Sequence, residues 1–240
     1  MNRITYSTRS VVLCSLAVSA AALLAVLLKG PITRNITKES YSAPWIVGPR
    51  NARFTIVAYL DLRCPYCRTY LPQLLAWTGE HPETNLQWHH LPLTAHEPEA
   101  TSLARLAECA GIAGGDEAFW SAVTWLYRSD SGSRSDLLRH VESINQERFA
   151  QCVDGLEPDA LIRNQAESAL SAGIVGTPSL RIVDTLRATD LTLAGPVESD
   201  ALLSAIDWLV AMPADAPEPS LREMGDDASP IVPGVAKTPM

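Results

Sequence analysis

Residues 54–67 read FTIVAYLDLRCPYC, and the order of residue types along them already sketches a fold. The first seven, FTIVAYL, are mostly β-branched or aromatic and of strand length, and beyond Cys67 the residues Leu71, Leu74, Leu75 and Trp77 recur at helical spacing. The stretch is therefore strand, turn and helix, with two cysteines separated by a proline and a tyrosine at the junction. Three readings of that pair are open at this point: a redox-active dithiol, half of a zinc site, or two ordinary thiols near a helix start.

Working outward, residues 85–91, NLQWHHL, form a second strand, parallel to the first across the intervening helix, which makes a βαβ unit. From about Pro98 to Ala172 the pattern is helical throughout. The segments EATSLARLAECAGIA, DEAFWSAVTWLYRS, RSDLLRHVESI, QERFAQCVDGL and PDALIRNQAESALSAGI predict four or five helices. Gly173 and Gly176 punctuate, SLRIVD and DLTLAG read as a strand hairpin, and VESDALLSAIDWLVAM closes the pattern as an amphipathic helix. The order predicts an α/β sheet with helices inserted in mid-chain.

The remaining sequence frames this domain, expected over residues 46–212. At 240 residues, 47% hydrophobic and 19% charged, the chain has material for one domain with appendages. Its net charge of -8 carries no Lys/Arg cluster, so a nucleic-acid partner is excluded. Residues 1–29 read as an N-terminal signal anchor: 11–28 hold no charge, and Arg3 and Arg9 precede them. Eighteen residues at about 1.5 Å each span about 27 Å, close to a hydrocarbon core, and the arginines would keep the N-terminus inside. The rival is a cleavable signal peptide cut near Ala20–Ala22. Residues 30–45 read as a linker. Residues 213–240, rich in proline and acids and without an aromatic residue, read as a disordered tail.

Placed on this framework, Cys64 falls at the end of the first strand and the start of the helix, where unpaired amides favour a thiolate, with Arg63 and Arg68 flanking it. Cys67 lies one turn further in, and Pro65 suits the first turn because it lacks an amide proton. A structural zinc site needs four ligands, commonly as close pairs, but Cys109 and Cys152 are 43 positions apart and no two histidines show the H-x3-H spacing. No metal is expected. His89 and His90, adjacent in a strand, point to opposite faces, and Phe119, Trp120, Trp125 and Tyr127 read as a helix face in the core. Asp61 stands near enough to influence the thiols. Cys109 shares a helix with Leu103 and Leu106, and Cys152 a face with Phe149, Val153 and Leu156, so the helical block holds either a structural disulfide or two buried free thiols.

These residues resemble the DsbA-like branch of the thioredoxin superfamily. The likeness is carried by FTIVAYLDLRCPYC followed by a helix, by the helical block, and by GIVGTPSL before a strand, and it covers about Val47 to Leu209. It implies a thioredoxin fold with a helical insertion at about 97–173. It also implies Cys64 as nucleophile, Cys67 as resolving thiol, an active-site loop of Pro65, Tyr66, Thr177 and Pro178 with a cis Thr177-Pro178 bond, and no cofactor. The expected function is a membrane-tethered, periplasm-facing thiol-disulfide oxidoreductase, held in the inner membrane by residues 11–28. Its partners would be exported proteins with thiols or disulfides and a membrane redox protein. Tyr66 and Thr177 resemble the DsbG and DsbC isomerases more than the DsbA oxidases, yet no N-terminal dimerisation domain fits within the linker. Oxidation, isomerisation and reduction all stay open, as does a non-catalytic chaperone that uses the thioredoxin groove.

Overall fold

The computed structural model describes residues 44–129 and 132–212. Five strands, β1 (Ile46–Val47), β2 (Phe54–Leu60), β3 (Thr84–His90), β4 (Ser179–Asp184) and β5 (Thr189–Ala194), form one sheet in the order β1-β3-β2-β4-β5. The helices are α1 (Pro65–Glu80), α2 (Glu99–Arg128), α3 (Arg134–His140), α4 (Gln146–Val153), α5 (Glu157–Ser171) and α6 (Ser199–Ala211). A 3-10 turn, Thr94–His96, leads from β3 towards α2. This is the thioredoxin-type α/β arrangement with a helical insertion.

β2 is central because both of its faces are apolar. Phe54, Ile56, Ala58 and Leu60 belong to the main core, while Val57 and Tyr59 join a smaller cluster with Leu91, Ala169 and Ile174 on the opposite side. Complete burial of a leucine or isoleucine contributes about 1.5–3 kcal/mol, so alternate burial on both sides explains why this run takes the middle of the sheet. β3 runs parallel to it from Phe54↔Thr84 to Leu60↔His90, and β4 pairs antiparallel on its other edge. The β4–β5 hairpin forms as the sequence predicts.

The two adjacent histidines do face opposite sides, one fully buried and the other half-buried. His90 is 1% exposed in the main core. His89 packs its ring, tilted by 48°, against Tyr59 and bonds the Gln165 carbonyl, because α5 lies across that face of the sheet.

As the sequence predicts, two helical stretches run from Glu99 to Arg128, together labelled α2, and they meet at a kink at Gly115, whose φ of 78° and ψ of -166° suit glycine alone. Beside it, a Cβ at Gly114 would sit 2.6 Å from the Ser143 carbonyl oxygen, so the two-glycine step is what lets the α3–α4 connection cross closely.

Trp45, the last residue of the stretch read as linker, is instead part of the core at 5% exposure. Its ring stacks on Phe119 at 5.2 Å, and its Nε1 donates to Glu108 Oε2 at 2.8 Å. A Cβ on Gly111 would come within 2.5 Å of that ring, so α2 is notched to receive it. Two-residue β1 continues this docking by pairing antiparallel with β3, too short to leave a signal in the sequence. A disulfide joins Cys109 of α2 to Cys152 of α4 across a Cα–Cα distance of 5.5 Å.

Among the described residues no helix is long and apolar enough to cross a membrane. The expected anchor at 11–28 and the expected tail at 213–240 lie outside the described residues.

Candidate active site

Two chain segments meet at the C-terminal end of β2. The antiparallel register pairs Tyr59 with Ser179, and two further steps along each chain bring Asp61 opposite Thr177. The turn after β2 and the loop before β4 are thus neighbours by sheet geometry. The Thr177-Pro178 peptide is cis, as is Glu97-Pro98 before α2.

Cys64 is the N-cap of α1, with extended φ and ψ of -72° and 120°, and Pro65 follows within the first turn. Its amide donates to the Asp61 carbonyl at 3.1 Å, and its carbonyl accepts from Arg68 at 3.1 Å. The capping position is usually held by an oxygen that accepts the N2 and N3 amides. Here a sulfur holds it.

That position gives the two thiols unequal chemistry. The Cys64 pKa is lowered to about 5, first by a hydrogen bond from the Cys67 thiol, against burial, and then by the Thr177 side chain and the amides of Cys67 and Tyr66. The last two are the helix-start donors that a capping anion would take. Arg63 and Arg68 are exposed and are not among these leading causes, so the flanking arginines are not the main source of the shift. Cys67, fully buried, is pushed far up by its hydrogen bond to Cys64 and by burial, with a main-chain hydrogen bond at Asp61 pulling the other way.

The loop side completes the pocket. The Cys64 thiol donates to the Thr177 carbonyl at 3.4 Å. The Thr177 hydroxyl is buried and finds no conventional partner, yet it lowers the pKa of both cysteines, which makes it a weak donor waiting on a sulfur anion. Cys64 itself is only 3% exposed, whereas Tyr66, between the two cysteines in sequence, and Val175, two residues before Thr177, stand out at 66% and 75%.

Beneath the turn lies Asp61, with a fully buried side chain that accepts from the amides of Arg63 at 2.6 Å and Leu93 at 2.8 Å and from His96 Nδ1 at 2.7 Å. The Tyr127 hydroxyl, from the far end of α2, donates to the Asp61 carbonyl at 3.0 Å. Sequence reasoning placed Tyr127 in the core and assigned His96 no role. No local signal marks either, because each reaches the site through a long-range contact.

Cys109 and Cys152 lie apart, in the helical block, where a cavity of about 310 Å³ is lined by Cys152, Ile112, Gln151 and Pro158. Among the described residues no group of three or more histidines, cysteines or carboxylates is placed to hold a metal ion.

The sequence family described as thioredoxin matches residues 40–207. Among solved structures, Pseudomonas aeruginosa DsbA2 is 40% identical with a TM-score of 0.63, the match covering 70% of this chain and 95% of that one. The catalytic domain of Proteus mirabilis ScsC shares the fold at 21% identity and a TM-score of 0.57, over 70% of this chain and 90% of that one. Among curated relatives, the Na(+)/H(+) antiporter NhaA 3 of Salinispora tropica is 30% identical over 162 residues, which are 66% of this chain and 24% of the antiporter. The chain thus spans about a quarter of the length of the antiporters it matches.

Proposed function

This chain belongs to the DsbA-like branch of the thioredoxin family, and from that premise we propose that it is a thiol-disulfide oxidoreductase with Cys64 as nucleophile and Cys67 as resolving thiol. The observation that carries the reading is the split between two thiols one helical turn apart, one lowered to about 5 and the other raised. At neutral pH the first is a thiolate and the second keeps its proton.

In the reducing direction the Cys64 thiolate attacks one sulfur of a client disulfide. The client S–S bond breaks, its other sulfur leaves as a thiolate that takes up a proton, and a Cys64–client bond forms. Cys67 then loses its proton, attacks Cys64 Sγ and expels the second client sulfur, so two electrons pass from the pair to the client. Run backwards, the Cys64–Cys67 disulfide oxidises a client dithiol. The main chain at Thr177 and the exposed Tyr66 and Val175 suit an extended client segment laid beside the sulfur in strand-like fashion.

The direction of electron flow follows from what the site stabilises. Each pKa unit of thiolate stabilisation is about 1.4 kcal/mol, or about 30 mV towards a stronger oxidant. With Cys64 lowered to about 5, we place the couple between thioredoxin at about -270 mV and DsbA at about -120 mV. Tethering by residues 11–28 on the periplasmic side, action on exported proteins and exchange with a membrane redox partner belong to the same proposal. Their support is the charge pattern of residues 1–29 and the partial likeness to antiporters.

Trapping tests the assignment. Cys67→Ala should accumulate mixed disulfides with client proteins through Cys64, and Cys64→Ala should accumulate almost none. Equal trapping by both variants overturns it.

A further inference from the structure

Asp61 gathers hydrogen bonds from three of the segments around the cysteine pair. Its Oδ1 takes the Arg63 amide, inside the turn that delivers Cys64, and its Oδ2 takes the Leu93 amide and the His96 ring. Its carbonyl takes the Cys64 amide and the Tyr127 hydroxyl. One buried residue therefore connects the redox turn, the chain leaving β3, and α2 of the helical insertion. Of the three donors on its carboxylate, His96 alone is a side chain, and its ring is 26% exposed.

An ionised carboxylate can only accept, so His96 presents Nδ1–H to Asp61 Oδ2 at 2.7 Å, a charge-assisted bond of the short kind. Remove that donor and Oδ2 keeps one amide, while the buried carboxylate loses its one flexible, partly hydrated partner. Two consequences point the same way. The carboxylate is freer to turn from the Arg63 amide, which loosens the helix start under Cys64, and its negative charge is less balanced near the sulfurs. That Asp61 and the sulfurs share one dry environment is visible at Tyr127, whose hydroxyl pKa is raised by burial first and then by the charges of Cys67, Asp61 and Cys64 together. The charged and titratable groups around the carboxylate are thus His96, Tyr127, Cys64 and Cys67, with Arg63 reaching it through its amide alone.

We propose that His96 is a positioning residue for the redox pair, holding the Asp61 carboxylate on the Arg63 amide and so fixing the turn that presents the Cys64 sulfur to the first amides of α1. It acts through Asp61 and touches no reacting atom. The proposal rests on the redox reading of Cys64 and Cys67.

The test compares His96→Phe, which keeps a ring and removes the donor, with His96→Asn, whose amide nitrogen takes the place of Nδ1. Thiolate absorbance of the reduced protein is followed against pH, and the couple is equilibrated with glutathione. His96→Phe should raise the Cys64 pKa by about one unit, a tenfold loss of thiolate at acidic pH, and move the potential about 30 mV towards the reducing side. His96→Asn should stay within about a third of a unit of the wild type. A His96→Phe variant that titrates like the wild type, or a His96→Asn variant that shifts as far as it, overturns the proposal. Should His96→Phe not fold, the wild-type ring decides by nuclear magnetic resonance: an Nδ1–H tautomer whose shifts change between the oxidised and reduced protein supports the role, and a ring indifferent to redox state removes it. A wild-type Cys64 that titrates like a free thiol would instead refute the redox reading, before any variant is compared.

Discussion

At the start of α1 two sulfurs three positions apart are unbonded and unequal, whereas between α2 and α4 two sulfurs separated by 43 positions are joined. The first pair sits among helix-start amides, a buried hydroxyl and a fully buried carboxylate. The second has Cys109 in an Ala-rich helix interior and Cys152 half-covered beside a cavity. Nearness in sequence is thus a poor guide to what two thiols do. What separates reactive from structural sulfur is the donor set that can receive a thiolate, present at Cys64 and absent from the contacts described for Cys109.

The sharpest way to break this contrast is to delete each pair. Cys64→Ala should reduce disulfide exchange with a protein substrate to background, a loss of at least about a thousandfold, or about 4 kcal/mol. The double variant Cys109→Ala/Cys152→Ala should retain activity within about twofold. Comparable losses would mean that the helical-block sulfurs are part of the chemistry.

The same double variant should be the less stable one. Closing a loop over a separation of 43 residues contributes about 4 kcal/mol in the chain-entropy model, an upper figure that native strain reduces. Denaturant unfolding measures it. A change below about 1 kcal/mol would mean that apolar packing alone holds α2 to α4.

The pH dependence separates the pairs in a third way. The folded pKa of Cys64, about 5, lies below the free-thiol value of about 8.5. Its stabilising contribution to the reduced protein is therefore full above about pH 8.5 and lost as pH falls through 5. The unfolding free energy of the reduced form, taken relative to that of the oxidised form, should be about 2 to 3 kcal/mol higher at pH 7 than at pH 4. Cys67, shifted upward, does not titrate in that window. A pH-independent difference between the two forms would contradict the thiolate.

The smallest effect is expected at Thr177. Replacing it with valine removes the unpartnered hydroxyl at nearly constant volume, and the Cys64 pKa should rise by less than about one unit. A fall would mean that the hydroxyl accepts from the thiol and does not donate to the thiolate.

Much of this was legible because local patterns reported it. The β-branched and aromatic run FTIVAYL, the helical spacing after Cys67 and the glycine-bounded hairpin strands each describe a few consecutive residues, and each formed as read. What escaped depends on distant partners. Trp45 looked like linker because nothing near it signals the notch at Gly111 on α2. The partner of His89 could not be read because Gln165 of α5 arrives 76 residues later to bond it. At the site, the cysteines and the helix start were visible, but the weight given to Arg63 and Arg68 was misplaced. Charge can be counted in sequence, whereas hydrogen bonds from the Cys67 thiol and the Thr177 loop require the fold. His96 and Tyr127 were invisible as site residues for the same reason.

The buried Trp45 also has a consequence for where the domain can be trimmed. Its indole reaches across 63 positions to Glu108 and fills the notch at Gly111, so a truncation that removes it would take a donor from a buried carboxylate and leave a void against α2.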